Sequence, residues 1–323
     1  MSFPNTSYDD LVSTTLDKRS KKIADNVSKN NALTSRLNQK GNVRTFDGGV
    51  NIIEELSFAE NGNFGWYSGY DLLPVAAQDV ISSAQYTIKQ CAVPVVISGL
   101  ETLQNSGEEA VINLLESRIK VAEKTMANRI SEGLYSDGTG YGGKQIGGLL
   151  AAVPLDPTTG TYAGIDRATW TFWRSQLTSL GTAPTGANIQ AHLNAAWAKQ
   201  VRGVDRPDLI LMDNAYWAAF TASLQTIQRL TSEKSASLGF PSVDFMGADV
   251  VLDGGLGGYC PTNVAFMLNT DYIFLRPHAI RNMVSLSPNK RSPVNQDAQI
   301  SILGWAGNLT VSNSSLQGYL KGS

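Results

Sequence analysis

Two glycine-rich segments are the first candidates for chemistry in this sequence, because glycine-rich loops can hold phosphate groups. Residues 138–144 read GTGYGGK, but Gln145 follows the lysine where a phosphate-binding loop needs serine or threonine, and no apolar strand precedes it. The run from Asp253 to Gly258 leads into a predicted strand instead of the helix that a dinucleotide-binding loop requires. We interpret the first segment as the turn that ends a helix and the second as a turn between strands. The sequence predicts no cofactor.

Acid–base and metal chemistry have few candidate residues. The sequence has only two histidines and two cysteines, with no HExxH or CxxC spacing: His192, His278, Cys91 and Cys260. Four aspartates could be read as carboxylate pairs or magnesium ligands, namely Asp213, Asp244, Asp249 and Asp253. Scattered aspartates at loops and strand ends are more typical of turns or solvated charges. We therefore predict no catalytic residue, no metal site and no enzymatic activity.

Composition indicates a folded protein whose surface is partly covered by other subunits. Of the 323 residues, 42% are hydrophobic and only 17% are charged, with six Trp and eleven Tyr. Few charges combined with many aromatic residues favour apolar surface that another subunit covers. No apolar run reaches the ~18 residues that a membrane span needs, so no membrane partner is expected.

The first forty residues are polar and carry more basic than acidic side chains. Seven basic and four acidic residues lie between Met1 and Lys40, and the basic residues include Lys18, Arg19, Lys21 and Lys22. A segment with so few core-forming residues needs a surface to order it. We predict that this arm packs on a neighbouring subunit. Contact between the arm and nucleic acid is a second interpretation.

Residues 46–74 are predicted to form a β-hairpin. Val50 to Phe58 leads in, Phe64 to Tyr70 leads out, and Asn61-Gly62 between them is a strong hairpin-turn signal. An isolated ribbon is marginally stable in water, so its exposed face needs a partner. The residues predicted to contact a neighbouring subunit are Phe58, Asn61, Gly62, Phe64, Trp66, Tyr67 and Tyr70.

A long amphipathic helix is the clearest element. Ser106 and Glu109 form a capping-box pattern, and apolar residues follow every three or four positions from Val111 to Leu134. This spacing predicts a helix over Glu108–Leu134. Further on, the patterns predict helices over 187–201 and 214–230 and strands over 84–98, 208–212, 249–252, 264–268, 299–305 and 308–311.

The order of these elements resembles the major capsid protein of tailed bacteriophages, of the Hong Kong 97 type. Five short stretches of sequence also resemble this family. They are Gly48-Gly49-Val50-Asn51, Tyr67-Ser68-Gly69-Tyr70-Asp71, Glu101 to Gly107, Ser136-Asp137-Gly138-Thr139 and Trp305-Ala306-Gly307-Asn308-Leu309-Thr310. The resemblance spans nearly the whole chain and rests on architecture more than on a signature motif.

The resemblance implies an α+β fold with five parts. These are an N-terminal arm (1–45), an extended E-loop hairpin (46–75), a P-domain (76–150) whose spine helix covers 106–135, an inserted α/β A-domain (151–275) and the return strands of the P-domain (276–323). It further implies a structural protein of the virion, assembled in the host cytoplasm. Copies would form hexamers and pentamers of an icosahedral shell around double-stranded DNA, with scaffolding, portal and decoration proteins as possible partners.

Two alternatives remain open: an encapsulin-like nanocompartment shell with an enzyme cargo, and a small-molecule-binding α/β protein. Two further expectations follow from family variation. About forty polar residues precede the hairpin, so we expect no removal of an N-terminal scaffolding segment. Some relatives cross-link an E-loop lysine to an asparagine of a neighbour, but no lysine lies between Thr45 and Pro74, so we expect no such bond.

Overall fold

A computed structural model describes residues 32–104, 114–224, 242–255, 257–286 and 297–322. The described residues fall into two compact units. The first unit contains those of 91–129 and 281–305, and the second those of 32–90, 130–280 and 306–322. Helices and strands are mixed in an α+β arrangement, as predicted.

The first unit contains most of strand β3 (Lys89–Ser98), helix α2 (Gly99–Gln104) and strand β12 (Val284–Ser285). Helix α2 begins with a reciprocal cap: the Glu101 backbone N–H donates to Ser98 Oγ (3.2 Å), and the Ser98 N–H donates to Glu101 Oε2 (3.0 Å). This capping box, Ser98-x-x-Glu101, was missed in the sequence. The predicted box at Ser106 and Glu109 lies outside the described residues.

The predicted long helix is present as α3 (Leu114–Gly133). Twenty residues make a helix of about 30 Å at ~1.5 Å per residue. The predicted apolar stripe is buried at Ala122, Met126, Ile130 and Leu134, each at most 5% exposed. Burial of one stripe along the helix explains why the periodicity was informative.

The second unit is built around a six-stranded mixed sheet in the order β6-β14-β10-β7-β9-β8. The strands are β6 (Gln176–Ser179), β7 (Leu209–Met212), β8 (Ser242–Phe245), β9 (Ala248–Leu252), β10 (Val264–Leu268) and β14 (Gly318–Lys321). Helices α5 (Ile189–Gln200) and α6 (Asn214–Leu224) pack against it, and Leu193, Tyr216 and Phe220 join Ile210 and Met267 in one buried cluster. All four residues of β7 are buried, as expected for a central strand.

Four smaller elements also belong to the second unit. They are helix α4 (Leu149–Ala152), the two-residue strands β4 (Thr161–Tyr162) and β5 (Ile165–Asp166), and strand β11 (Ile273–Pro277). Strand β11 pairs antiparallel with residues 307–311 of strand β13 (Ala298–Val311). The sequence predicted two strands, 299–305 and 308–311, but β13 is one strand of 14 residues, Ala298–Val311. Ala306 and Gly307 carry no bulky side chain but continue the backbone ladder, so the patterned runs on either side belong to one strand.

Candidate assembly surface

The predicted hairpin exists, but its second strand is not where the sequence placed it. Strand β1 (Asn51–Ser57) pairs antiparallel with β2 (Ile81–Thr87), with Ile52 opposite Tyr86 and Ser57 opposite Ile81. The predicted return strand, Phe64 to Tyr70, is not a strand. We call residues 51–87 the hairpin and residues 58–80 its tip.

Burial of one face decides this pairing. Ile52 and Leu56 of β1 and Ala84 and Tyr86 of β2 are at most 6% exposed, and the residues between them face outwards. A strand whose alternate residues find a buried surface fixes its register strongly. The segment 64–70 has aromatic residues but two glycines, and no surface of the described chain buries it. The Asn61-Gly62 turn forms locally, with the Phe64 N–H donating to Asn61 O at 3.3 Å, but it does not join the two strands.

Buried polar contacts anchor the hairpin to the rest of the second unit. Glu54 Oε1 lies 2.6 Å from Arg276 Nη2 and accepts a hydrogen bond from the Thr310 hydroxyl at 2.9 Å. The Tyr86 hydroxyl donates to Val311 O (2.7 Å) and accepts from the Val311 N–H (3.1 Å). Burial, above all, raises the pKa of Tyr86 well above its usual value, so the phenol keeps the proton that it donates. These contacts fix where the hairpin leaves the body of the chain.

Aromatic side chains pack together at the residue where β1 ends and the tip begins. The Phe58 ring lies 5.3 Å from the Trp170 ring and 6.0 Å from the Phe172 ring. Phe58 is therefore half-buried on its own chain, and its contact to a neighbouring subunit stays a prediction. A phenylalanine beside a turn has the same signal in sequence whether its partners lie in its own chain or in another.

The tip exposes many large apolar side chains. Four of the predicted contact residues are among the most exposed, with Phe64 at 75%, Trp66 at 93%, Tyr67 at 67% and Tyr70 at 105%. Asn61 and Gly62 are exposed beside them. The sequence prediction missed Leu72, Leu73 and Val75, which are exposed at 99%, 54% and 89%. Apolar residues flanking Pro74, which cannot donate to a strand ladder, could have signalled this extension.

Local polar contacts give the tip its shape. The Asn63 side chain donates to Ala76 O at 2.5 Å, and the Ser68 N–H donates to the Asp71 carboxylate at 2.9 Å. The Phe64 and Trp66 rings meet edge to face at 5.6 Å. An exposed apolar set of this size on a shaped loop is the mark of a protein–protein contact surface.

The described end of the N-terminal arm lies on its own chain, not on a neighbour. Helix α1 (Ala32–Gln39) buries Leu33 and Leu37 at 1% and 0% exposure. Arg36 pairs with Asp208 and Asp249, both at 3.0 Å, and the Asn42 side chain donates to Thr270 O. The prediction that the whole arm to Lys40 packs on another subunit was therefore wrong for residues 32–40. The reason is that carboxylates far away in the sequence pair with Arg36 and Lys40, the basic residues of this described end.

Lys40 completes this ionic cluster. Its ammonium lies 2.8 Å from Asp208 and 2.7 Å from Asp271. Burial acts to raise the pKa of Asp208, but Lys40 and the Thr270 N–H and hydroxyl outweigh it, and the pKa falls below its ordinary value. Asp208 is therefore a carboxylate at neutral pH. The predicted contact residues Lys18, Arg19, Lys21 and Lys22 lie outside the described residues and stay predictions.

The four aspartates considered for chemistry have structural partners and lie in two separate pairs: Asp244 is opposite Asp249 in β8 and β9, and Asp213 and Asp253 follow the paired ends of β7 and β9. Asp213 caps α6 by accepting from the Tyr216 N–H, Asp244 accepts from the Gly247 N–H, and Asp249 pairs with Arg36. Asp253 accepts a hydrogen bond from the buried Tyr135 hydroxyl. The prediction of turn-formers or solvated charges holds for Asp244 but was wrong for Asp213, Asp249 and Asp253, each at most 5% exposed.

No cation site or membrane span emerges from the described residues. Within them, no three or more histidine, cysteine or acidic side chains are grouped so that they could hold a metal ion. None of their helices is long and apolar enough to cross a membrane.

The glycine-rich segment at 138–144 forms turns after α3, including the helical turn Gly140–Gly143, as predicted.

Comparison with known proteins gives the class of fold. No family model matches the sequence, and no curated protein matches it. Among solved structures, the chain is similar to the capsid of cyanophage A-1(L), with 19% identity, coverage of 94% of this chain and 96% of that chain, and a TM-score of 0.73. The capsid of Myoviridae phage XM1 matches with 15% identity, coverage of 96% and 98%, and a TM-score of 0.57.

A third match comes from a bacterial shell. The holo-SrpI encapsulin complex of Synechococcus elongatus matches with 10% identity, coverage of 99% of this chain and 96% of that chain, and a TM-score of 0.60. The chain therefore has the fold of shell proteins. The match to phage capsids confirms the resemblance to the fold of tailed-phage major capsid proteins that was drawn from the sequence.

Proposed function

We propose that this chain is the major capsid protein of a tailed bacteriophage, a structural protein and not an enzyme. Copies assemble as hexamers and pentamers into an icosahedral shell that encloses double-stranded DNA, and the shell forms in the host cytoplasm and persists in the virion. The exposed apolar tip on a shell-protein fold carries this proposal. A surface of this kind is unfavourable in water and becomes favourable when another subunit covers it.

The proposal assigns a role to each part of the fold. The hairpin is the E-loop, α3 is the spine helix of the P-domain, and the six-stranded sheet with α5 and α6 is the A-domain. Helix α1 ends the N-terminal arm, and Lys18, Arg19, Lys21 and Lys22 before it contact a neighbouring subunit or the packaged DNA. Scaffolding, portal and decoration proteins are further partners.

The energetics of the tip suit repeated, reversible assembly. Burying one large apolar side chain contributes about 1.5–3 kcal/mol, and an aromatic side chain buries about 150–250 Å². Trp66, Tyr67 and Tyr70 together therefore supply several kcal/mol at each contact before the cost of association is subtracted. In a closed shell each subunit makes this contact as donor and as acceptor, so modest contacts add up around rings of subunits.

An encapsulin-like shell is the second candidate, and the SrpI match favours it. The two candidates differ in what the particle encloses. Purified particles from the native source should contain nuclease-protected double-stranded DNA if the first proposal holds. A protein cargo without nucleic acid would favour the second.

Replacing Trp66 by alanine tests the tip directly. Trp66 is 93% exposed, so Trp66→Ala should leave the circular dichroism of the subunit unchanged while particle yield drops at least tenfold in sedimentation. Tyr141 is the matched control, because it is an aromatic residue 77% exposed outside the hairpin. Tyr141→Ala should assemble like the wild type. Normal assembly of Trp66→Ala would refute the role of the tip, and a wild type that sediments as a monomer under all conditions would favour the small-molecule-binding alternative.

A further inference from the structure

The hairpin carries an extreme charge composition. The segment from Thr45 to Ile88, which contains the hairpin, has six acidic residues, five of them in the hairpin itself, and no lysine, arginine or histidine. The whole chain has 26 basic and 28 acidic residues, so the rest of the chain holds all 26 basic residues against 22 acidic ones. This segment therefore has a net negative charge, and the rest of the chain, which we call the body, has a net positive charge.

Most of these carboxylates face solvent. Glu54 is buried and paired with Arg276, whereas Asp47, Glu55, Glu60, Asp71 and Asp79 are exposed. In the described part of the chain, Glu55, Glu60 and Asp79 have no ion-pair partner. Glu55 lies on the outward face of β1, and the other two lie in the tip beside its apolar side chains. The surface that would be covered in a contact therefore combines apolar groups with uncompensated negative charge.

We propose that the hairpin is an acidic docking arm whose partner is the net positively charged body of a second copy of this chain. This inference rests on the proposed function and adds the chemistry of the contact. Complementary charge favours contact between the hairpin of one copy and the body of another, because the body holds the excess of basic residues. Exposed basic residues outside the hairpin include Arg44, Lys144 and Arg206.

The negative charge of the hairpin also determines the symmetry of the contact between copies. Two hairpins that met face to face would bring carboxylates together, and like charges in a contact disfavour it. The apolar tips alone would permit such a symmetric pair. Because repulsion opposes it, the hairpin meets a different surface, and the contact is heterologous. Heterologous contacts generate rings and closed assemblies instead of isolated dimers.

Neutral substitutions separate charge from shape. The hairpin variant Glu55→Gln/Glu60→Gln/Asp79→Asn removes three exposed charges and keeps the side-chain size. A control variant, Glu123→Gln/Asp137→Asn/Asp156→Asn, removes three exposed charges outside the hairpin, and the asparagine oxygens can still accept the backbone hydrogen bonds that Oδ1 of Asp137 and Oδ1 of Asp156 accept. Assembly is followed by light scattering from about 50 to 500 mM NaCl, a range over which screening shortens the reach of exposed charges to a few Å.

The wild type and the control variant should assemble about tenfold more slowly at the highest salt than at the lowest, since charge steering changes association rates by ~10-fold or more. The hairpin variant should assemble slowly at all salt concentrations, with little further change. The inference is overturned if the hairpin variant keeps the wild-type rate, if it slows but retains the wild-type salt dependence, or if the control slows equally. A wild type that forms no particles at any salt would instead count against the proposed function.

Discussion

Asp253 is a carboxylate that the fold buries at an energetic cost, and its removal should change how stability depends on pH. It is 1% exposed at the end of β9, where the buried hydroxyl of Tyr135, just after α3, donates a hydrogen bond to it. Cys260 and Asp213 are the other titratable groups in its surroundings. Burial raises the pKa of Asp253 from 3.8 to about 6, and the hydrogen bond from Tyr135 offsets this only in part.

The sign and size of the effect follow from this shift. In the unfolded chain the carboxyl loses its proton near pH 3.8, and in the folded chain near pH 6. Between these values the folded state binds more protons, so stability falls as pH rises through the window. A difference of about 2 pKa units corresponds to ~3 kcal/mol, which is the cost of the charged Asp253 above pH 6.

Asp253→Asn removes this cost together with its pH dependence. The amide oxygen can still accept from Tyr135, and any cost of its N–H groups is the same at every pH. Urea denaturation followed by tryptophan fluorescence should give a stability difference between variant and wild type that shifts by ~3 kcal/mol in the variant's favour from pH 4 to pH 7.5. An equal difference at both pH values would refute the reasoning, because Asp253 would then titrate at its ordinary value.

Two further predictions concern the arm and the covalent state. Arg36→Met should cost about 3 kcal/mol in urea denaturation because it leaves the mostly buried carboxylates of Asp208 and Asp249 facing each other with only Lys40 to compensate. Arg202→Met, which breaks a pair whose arginine is 61% exposed, should cost less than about 1 kcal/mol, and equal costs would contradict the anchoring of the arm by buried charge. Mature particles boiled in detergent should run as one band near 34.7 kDa on a denaturing gel, because the hairpin segment from Thr45 to Pro74 has no lysine, and a ladder of covalent multimers would contradict this.

The sequence predicted most accurately those elements in which the apolar positions of the sequence pattern are the positions that the fold buries. The stripe of α3 and the apolar runs of β7 and β10 are buried where the periodicity required. The sequence also predicted that four aromatic residues of the tip need a partner surface, because none was evident nearby in the chain. These residues, Phe64, Trp66, Tyr67 and Tyr70, are exposed in the structure.

The errors share one physical origin: contacts between residues far apart in sequence. The return strand of the hairpin is set by burial of Ala84 and Tyr86, and the Tyr86 hydroxyl donates to the Val311 backbone, 225 residues away. Residues 32–40 lie on their own chain because Leu33 and Leu37 are buried there and Arg36 pairs with Asp208, 172 residues away. Local propensity and spacing contain no information about such partners, so a turn signal at Asn61-Gly62 was given too much weight.

Electron cryomicroscopy of the particles formed by the full chain tests the central claim most directly. The account predicts closed shells in which the tip of every copy, from Phe64 to Val75, lies against the body of a second copy and loses its exposure to solvent. Trp66 in particular should be buried in the contact. Particles in which the tips project into solvent, or purified protein that forms no closed shell while its tip remains exposed, would contradict the assignment of this surface to assembly.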